Sequence, residues 1–357
     1  MTESRFISSA VSNGNPYSTK WEAPSNIALI KYWGKTEPQL PKNPSLSFTL
    51  SSSVTTTEVQ FSPSGKEEIE FEFYFEGALK PDFHPKLNAF FERIKTYIPW
   101  ITSYSLKISS QNSFPHSSGI ASSASAMAAL SLCIMDMEQT LFPELSKADF
   151  NQKASFLARL GSGSAARSVE GPVTLWGKND IQNEGSDLYA TPFGANLNPL
   201  FKDFQDTILL VDKGSKAVSS TQGHQLMFNH PFANQRFVQA TNNLADLISI
   251  MKSGDLDGFM RIVETEALSL HAMMMTSNPY FILMQPHTLE IIQRVWEFRK
   301  QTQIPLCFTL DAGANVHLLY PEMIKDKVRS FIADHLASFC QKGQYLYDSV
   351  GSGAKKV

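Results

Sequence analysis

The chain is poor in the residues that mark specialised small proteins. It has only three cysteines among 357 residues, and Cys133, Cys307 and Cys340 lie far apart in apolar segments. This odd and scattered set excludes a disulfide framework and indicates reduced thiols in the core. The sequence contains neither a CxxC pair nor histidines at zinc-ligand spacing, so it predicts no structural metal held by the protein alone.

An excess of one charge and long apolar runs are also missing. The 31 Lys and Arg residues nearly balance the 34 Asp and Glu residues, and the net charge of −3 argues against a general surface for nucleic acid or anionic membrane. The first residues lack the cationic start and apolar core of a signal peptide. We therefore expect a cytoplasmic protein that binds neither nucleic acid nor membrane, in which any anion site is local.

Length and composition favour two domains. A chain of 357 residues exceeds the size that a single core usually fills, and its 42% of hydrophobic residues is enough for two cores. The segment 187–206 is rich in Pro, Asn, Gly and Asp, with little periodicity, so we place the boundary there, between residues 1–195 and 196–357. An interface between two domains is a natural place for an active site.

The stretch at 112–137, NSFPHSSGIASSASAMAALSLCIMDM, has the pattern of a phosphate loop that leads into a buried helix. After Gly119, Ser122 and Ser123, the residues are apolar on every side for about four helical turns. Free N–H groups and the dipole at a helix start attract a polyphosphate, while hydroxyls add donors or a metal ligand. The stretch lacks the Gly-Lys-Ser/Thr of a Walker loop. An ordinary core helix capped by serine fits the same pattern.

A second loop of small residues, GSGSAARSVEG at 161–171, follows a predicted helix at 149–160. Ser162, Gly163 and Ser164 offer hydroxyl and backbone donors, and Arg167 adds a planar fork that binds carboxylates or phosphates. The loop therefore predicts a site for an acidic substrate. The alternative is a flexible connector whose arginine forms a surface ion pair.

Charged residues also follow two predicted strands. The segment WEAPSNIALIKYWGK at 21–35 predicts a strand that ends at Lys31, Tyr32 and Lys35, which suits an anion clamp or a strand edge with solvated lysines. The segment TLDAGAN puts Asp311 at a strand end in a Gly/Ala turn. Catalytic acids often stand in such turns, although Asp before Gly is also a common turn signal.

The remaining periodicity predicts strands first and long helices later. His271, on one of these helices, is expected to satisfy a buried partner and not to act as a base. The predicted strands lie at 46–53, 54–61 and 69–75, which look antiparallel and half exposed, and at 104–110, 172–176, 207–211, 305–310, 316–320 and 345–350. The predicted helices lie at 85–97, 232–251, 255–274, 287–301 and 322–339, with a polar, cationic loop at 213–225.

These parts suit phosphoryl transfer to a small acid. A polyphosphate needs N–H donors and Mg²⁺, a substrate carboxylate needs Arg, and an acidic group must orient or deprotonate the attacking hydroxyl. From the residues alone, the chain is predicted to be a small-molecule kinase.

Five segments resemble one family. APSNIALIKYWGK, SFPHSSGIASSASA, LARLGSGSAARS, VSSTQG and TLDAGAN occur in the order and spacing of the diphosphomevalonate decarboxylases, within the superfamily of galactokinase, homoserine kinase, mevalonate kinase and phosphomevalonate kinase. The resemblance runs from Ala23 to about Gly353. It implies an α+β fold with an N-terminal domain like ribosomal protein S5 domain 2 and a ferredoxin-like C-terminal domain. The site then lies in the cleft, and the last segment packs back on the N-terminal domain.

The resemblance also implies an activity. It implies a homodimer that uses ATP and Mg²⁺ to convert (R)-5-diphosphomevalonate to isopentenyl diphosphate, by phosphorylating the 3-hydroxyl and then releasing phosphate and CO2. A decarboxylase of the 5-monophosphate and a mevalonate-type kinase without decarboxylation stay open as alternatives. Thr221 stands where some relatives carry an arginine against the substrate phosphate, which leaves the choice between monophosphate and diphosphate open.

The resemblance assigns roles by position. Asp311 matches the catalytic acid beside the 3-hydroxyl, Arg167 holds the carboxylate, and Lys31 lies near the reacting groups. The residues matched to substrate binding are Asn26, Tyr32, Lys35, Ser162, Gly163, Ser164 and Lys216. The residues matched to nucleotide binding are Asn112, Pro115, Gly119, Ser122 and Ser123. Ser122 also faces the magnesium ion, which the ATP phosphates mainly hold.

Overall fold

The computed structural model describes residues 2–66, 68–115, 120–179, 185–194, 197–214 and 220–357. Within them the chain forms two main sheets, each covered by helices. Cys133, Cys307 and Cys340 are buried, unpaired thiols, as predicted. Among the described helices, none combines the length and the apolar character that crossing a membrane requires.

The first sheet is built around two long antiparallel strands, β1 and β4. The order is β1-β4-β7-β5-β6, with β8 on β4, β9 on β8, and a separate hairpin of β2 and β3. The strands of this half are β1 (Tyr17–Ile30), β2 (Lys35–Thr36), β3 (Leu40–Pro41), β4 (Ser45–Pro63), β5 (Glu70–Phe75), β6 (Ala78–Leu79), β7 (Tyr104–Asn112), β8 (Val173–Trp176) and β9 (Thr191–Pro192).

Two predictions about these strands were wrong. The segments 46–53 and 54–61 form the single strand β4, because its serines and threonines fit the sheet and no turn interrupts it. The strand β5 pairs with β7 in parallel, not antiparallel. The connection between them contains the helix α1 (His84–Ile94), and a crossover of this kind permits parallel pairing.

Two more helices, α2 (Ser122–Leu141) and α3 (Lys147–Gly161), pack on this sheet. The alanines, leucines and methionines of α2 are almost all buried, against β1 and β4 on one side and α3 on another. The helix that the sequence predicts as apolar on every side is therefore a core helix, and the core fixes the position of its N-terminus.

The second sheet is antiparallel, in the order β11-β12-β10-β13. The helices predicted at 232–251, 255–274 and 287–301 are confirmed within one or two residues. The strands are β10 (Gln205–Leu209), β11 (Cys307–Leu310), β12 (Val316–Tyr320) and β13 (Tyr345–Ser349). The helices are α4 (Ser220–Gln225), α5 (Ala233–Ser253), α6 (Leu256–Met275), α7 (Pro286–Thr302) and α8 (Lys325–Phe331).

Two other predictions in this half need correction. The helix predicted at 322–339 is broken, since α8 gives way to a wider π turn at Ile332–Leu336 and a 3-10 turn at Ala337–Phe339. The wider turn lets Phe331, Ile332 and Leu336 all reach the core. The loop predicted at 213–225 ends in the short helix α4, while residues 215–219 lie outside the described part of the chain.

The two halves are joined by strand contacts at the end of the chain. Asp348 of β13 accepts hydrogen bonds from the N–H groups of Ser51, Ser52 and Ser53 at 2.7–2.9 Å. The final strand β14 (Lys355–Lys356) then pairs with β1. The second half therefore packs directly on the two long strands of the first sheet. The domain boundary near residue 195 stays a prediction.

Candidate active site

Two strand ends from opposite halves of the chain meet in a buried ion pair. Lys31 follows the last residue of β1, and Asp311 follows the last residue of β11. The Nζ atom of Lys31 lies 2.9 Å from Oδ1 of Asp311. Only 2% of the lysine side chain is exposed, against 28% for the aspartate. The carboxylate is therefore the member of the pair that a ligand can reach.

The backbone on both sides of this pair is held by buried side chains. The N–H of Lys31 donates to Oε2 of Glu266 at 2.8 Å, and its carbonyl accepts from Nδ2 of Asn43 at 3.0 Å. The carbonyl of Asp311 lies 3.1 Å from Nε2 of His271, which is the buried partner predicted for that histidine. The positions of both charged groups are therefore fixed by the protein before any ligand binds.

Burial lowers the pKa of Lys31 below its ordinary value. Asp311 opposes this shift most strongly, Glu266 opposes it less, and the positive charge of Arg167 adds to it. The charge on Lys31 therefore depends chiefly on its aspartate partner.

Arg167 lies in a 3-10 helix, Gly163–Ser168, directly after α3. Its Nη1 donates to Oγ of Ser45 at 2.5 Å and its Nε to Oδ1 of Asn26 at 3.4 Å, while the guanidinium packs over the Trp176 ring at 5.6 Å. Within the described part of the chain, Nη2 donates to no protein acceptor. Burial lowers the pKa of Arg167 to about 10, so the group stays charged and keeps donors for an anion.

Asn26 binds the loop that carries this arginine. Its Nδ2 donates to the carbonyl of Ser164 at 3.2 Å and to Oγ of Ser168 at 2.8 Å. The side chains of Ser162 and Ser164 are half-buried at the same loop. The structure thus brings Asn26 and Arg167 together at the serine loop (residues 161–171).

Tyr32 and Lys35 lie at the edge of the same site. The Tyr32 hydroxyl is buried and has no hydrogen-bond partner among the described residues. A Cβ at Gly163 would lie 2.8 Å from this hydroxyl, so the close approach requires glycine. Burial raises the pKa of Tyr32, which keeps the phenol a donor. The Nζ of Lys35 lies 3.0 Å from Oε1 of Gln39 and 3.2 Å from Oε1 of Glu37.

His224 was not singled out from the sequence, which predicts only a polar, cationic loop at 213–225. Its ring packs on Tyr32 at 4.3 Å and on Trp33 at 4.7 Å, and its Nδ1 accepts from the N–H of Gly34 at 2.9 Å. Burial lowers its pKa to about 3, and Lys35 adds to the shift. A single histidine in a polar stretch gave no signal of this. Ser45, Asn43 and Glu266 also gave no signal in the sequence, since each acts only through a hydrogen bond to another residue of the site.

The N-terminus of α2 lies at the other end of the site. Ala121 before it has a φ of +44° and provides no side-chain cap, while its carbonyl accepts from the N–H of Ala124 at 2.7 Å. The N–H groups of Ser122 and Ser123, which precede this bond, can serve other acceptors. Ser122 is half-buried, and Oγ of the exposed Ser123 accepts from Nζ of Lys86 at 2.8 Å. The carbonyl of Ile120 accepts from Ser25 Oγ at 2.6 Å, which fixes this loop next to Asn26.

A mostly apolar cavity adjoins this helix start. Its volume is about 60 Å³, and Phe73, Phe75 and Phe83 line it beside Ser122 and Ser123. Asn112 also lines it, and its buried Nδ2 has no partner within the described ranges. The helix start therefore suits a polyphosphate, whereas the cavity is too small in this form to hold a nucleotide base. Pro115 is half-buried nearby, whereas the candidate residues Gly119 and Lys216 lie outside the described residues.

Family models match both halves of the chain. The model described as the diphosphomevalonate decarboxylase-like N-terminal domain matches residues 23–190. The model described as the mevalonate 5-diphosphate decarboxylase C-terminal domain matches residues 207–353. The two matches follow each other in the order that the sequence motifs predict.

Known proteins are similar over most of the chain. The diphosphomevalonate decarboxylase of Ganoderma lucidum is 31% identical over 338 residues, which are 88% of this chain and 82% of the relative. The phosphomevalonate decarboxylase of Haloferax volcanii is 27% identical over 316 residues, 86% of this chain and 89% of the relative.

A solved structure described as MDDEF in complex with MVAPP, AMPPCP and magnesium superposes with a TM-score of 0.81 at 29% identity. The match covers 96% of this chain and 99% of that one. The α+β fold predicted from the sequence is therefore confirmed. On the family models and the similarity to the Ganoderma protein, the chain belongs to the diphosphomevalonate decarboxylase family.

Proposed function

We propose that the protein catalyses the ATP-dependent decarboxylation of (R)-5-diphosphomevalonate to isopentenyl diphosphate, ADP, phosphate and CO2. Besides family membership, one observation carries the proposal: a reachable carboxylate, Asp311, stands against the buried cation Lys31, within electrostatic reach of Arg167. This arrangement suits a substrate that presents a hydroxyl next to a carboxylate.

Asp311 is the group that we assign to the 3-hydroxyl. Its carboxylate is partly exposed and its orientation is fixed by Lys31, so it accepts the hydroxyl proton or aligns the oxygen for attack on the γ-phosphate of ATP. A tertiary alcohol is a poor leaving group, whereas its phosphate leaves readily. Departure of phosphate builds positive charge at the carbon, and expulsion of CO2 from the adjacent carboxylate relieves that charge.

Arg167 and Lys31 are assigned to bind and neutralise the negative charges of this reaction. The free Nη2 of Arg167 is assigned to the substrate carboxylate, with Ser45 and Asn26 holding the guanidinium in place. Lys31 lies beside the reacting groups and neutralises the departing phosphate. Fixed cations in a site with little water stabilise developing charge more than the same cations in solution. No electron-sink cofactor is required.

The donors around Tyr32 are assigned to the diphosphate end of the substrate. The Tyr32 hydroxyl, which has no hydrogen-bond partner among the described residues, lies against Gly163, and we assign Lys35, Ser162 and Ser164 to the same group. We include Lys216 in this group on the family resemblance alone.

ATP is assigned to the N-terminus of α2 and the adjoining cavity. The first N–H groups of α2 suit its phosphates, and the phenylalanine-lined cavity would widen to admit the base. Nδ2 of Asn112, which has no partner among the described residues, suits an acceptor on the ring or ribose. Ser122, with Ser123, Pro115 and Gly119, completes the loop. Magnesium bound to the phosphates, with Ser122 nearby, would neutralise charge on the transferring group. The AMPPCP and magnesium named for the MDDEF structure support the use of ATP and Mg²⁺.

A comparison of three substrates tests the function. ADP and CO2 are measured with (R)-mevalonate, its 5-phosphate and its 5-diphosphate, and we expect both products from the diphosphate. ADP without CO2 would make the protein a kinase. Preference for the monophosphate would support the alternative suggested by the Haloferax relative and by Thr221.

We also propose a cytoplasmic homodimer. Family membership supports it, as do several exposed apolar side chains on two segments of the second half, since large exposed apolar areas are typical of interfaces. These side chains are Phe228, Phe232, Tyr280 and Ile282. Light scattering during size-exclusion chromatography gives the mass directly, and a monomer at micromolar concentration would contradict the dimer.

A further inference from the structure

A fully buried carboxylate, Glu266, lies behind the Lys31–Asp311 pair. Its side chain is 0% exposed. Its Oε2 accepts from the Lys31 N–H at 2.8 Å and from Nη2 of Arg236. Its Oε1 accepts from Nη1 of Arg236 at 3.0 Å and from Nδ2 of Asn243 at 2.6 Å. Four donors from three residues therefore converge on one carboxylate.

Folding stability alone does not explain this arrangement. A buried ion pair is often no more stable than apolar side chains of similar volume, because both ions lose their hydration. An apolar residue at 266, however, would leave the N–H of Lys31 without an acceptor. The feature specific to Glu266 is thus its hydrogen bond from the N–H of Lys31, the residue that carries the buried ammonium of the site.

The helix α6 contacts the other member of the pair as well. His271, five residues after Glu266, lies with Nε2 3.1 Å from the carbonyl of Asp311. One helix therefore contacts the backbone of both Lys31 and Asp311, which are 280 residues apart in sequence. A rigid helix with two such contacts sets the distance between the two charged groups.

We propose that Glu266 is a positioning residue for Lys31. Glu266 holds the backbone of Lys31 where the lysine ammonium meets Asp311, and it keeps a negative charge behind that ammonium. The proposal rests on the function proposed above. It adds that the reaction depends on a carboxylate that contacts neither substrate.

The charges around Lys31 support this role. Asp311 faces its ammonium from β11, Glu266 acts from α6, and Arg167 acts from the serine loop. Glu266 raises the pKa of Lys31 against the effect of burial, so its loss would favour the neutral amine. Arg236 pairs with both oxygens of Glu266 and so balances its charge, and it shares Oε2 with the N–H of Lys31.

A charge-balanced double variant tests the role, with a matched control on the same helix. In Glu266→Gln/Arg236→Gln both buried charges are removed together. Glu264, two residues earlier, forms a similar pair with Arg299 at 2.6 Å and accepts from Trp296, without contacting Lys31. The control is therefore Glu264→Gln/Arg299→Gln.

We expect the double variant at 266 and 236 to lower kcat about 10- to 100-fold, the usual effect of a small misplacement of a reacting group. The KM values for both substrates should change less than about twofold, and the alkaline limb of kcat/KM should move to lower pH, since Lys31 then loses its proton more easily. The control should keep kcat and the pH profile. Equal effects in both variants would overturn the proposal.

A second readout does not need turnover. In protein labelled with ¹³C at the lysine Cε, the Lys31 signal, assigned by comparison with Lys31→Arg, should titrate at lower pH in the Glu266 double variant than in the control. An inactive wild type would refute the proposed function, while this titration would still decide the role of Glu266. If the double variant does not fold, Glu266→Asp keeps the charge and the Arg236 pair but shortens the reach to Lys31. An unchanged kcat in that variant would refute the positioning role.

Discussion

Replacing Asp311 by Asn tests the centre of the proposed mechanism. The substitution keeps the size of the side chain and an oxygen for Lys31, but it removes the negative charge and the basicity. If Asp311 accepts the hydroxyl proton, phosphorylation slows by about 10²- to 10⁴-fold, the usual contribution of a positioned base. Because CO2 loss follows phosphorylation, ADP and CO2 formation should fall together.

The same substitution should lower stability modestly. Lys31 is almost fully buried, whereas 28% of the Asp311 side chain is exposed. The loss therefore lies between that of a surface pair, below about 1 kcal/mol, and that of a fully buried pair, about 3–5 kcal/mol, and we expect about 2 kcal/mol. Without its main negative partner, the pKa of Lys31 should fall further.

The assay measures ADP and CO2 in parallel, nucleotide binding by calorimetry and stability by urea unfolding. Binding of Mg-ATP should stay nearly unchanged, since the nucleotide is assigned to α2. Asp203→Asn, an exposed aspartate on the same half, is the control for loss of one negative charge. Full turnover by Asp311→Asn would remove Asp311 from the mechanism, and loss of CO2 alone would show that another group serves phosphorylation.

Three further predictions concern the surrounding groups. Arg167→Lys keeps the positive charge but loses the forked donors of the guanidinium, so kcat/KM for the diphosphate should fall about 10- to 100-fold in steady-state kinetics. Ser45→Ala removes one partner of the guanidinium and should cause a smaller fall. Burial lowers the pKa of Lys31 below 10.5, the ordinary value for lysine, so kcat/KM of the wild type should begin to decline on the alkaline side before pH 10.5. A pH profile that stays flat up to pH 10.5 would contradict this prediction. His224 stays neutral in the folded protein to about pH 3 but is protonated below 6.5 when unfolded. The free energy of unfolding should therefore drop as pH falls from 6.5, and less so in His224→Asn, by urea titration at each pH.

Local patterns were sufficient to find the charged residues of the site. Lys31 and Asp311 follow strands, and Arg167 follows a run of small residues, so turn and strand signals located each one. Their meeting could not be derived this way, because the contact between Lys31 and Asp311 depends on how the second sheet packs on the first. The family resemblance supplied that information, which periodicity does not contain.

Strand direction and helix ends were the weaker predictions of the fold. The alternation in 69–75 shows a half-buried strand, but only the course of α1 decides that β5 runs parallel to β7. The long helices were predicted closely, because their apolar residues repeat at helical spacing over about five turns. The break after α8 depends on which side chains reach the core, and a single sequence does not reveal this.

The residues that the sequence missed share a physical property. Ser45, Asn43, Glu266 and His224 act on the backbone or side chain of another site residue through hydrogen bonds, and three of these bonds join residues more than 100 positions apart, whereas Asn43 and Lys31 are 12 apart. Such a residue needs only an acceptor or donor at the correct place, and a buried polar group of this kind has no local motif. The groups assigned to ligands are different, since binding a phosphate or a carboxylate restricts both the type of side chain and the kind of loop that carries it. Sequence therefore indicates which ligands the candidate site suits, while the groups that hold Lys31 and Arg167 in position become visible only in the folded chain.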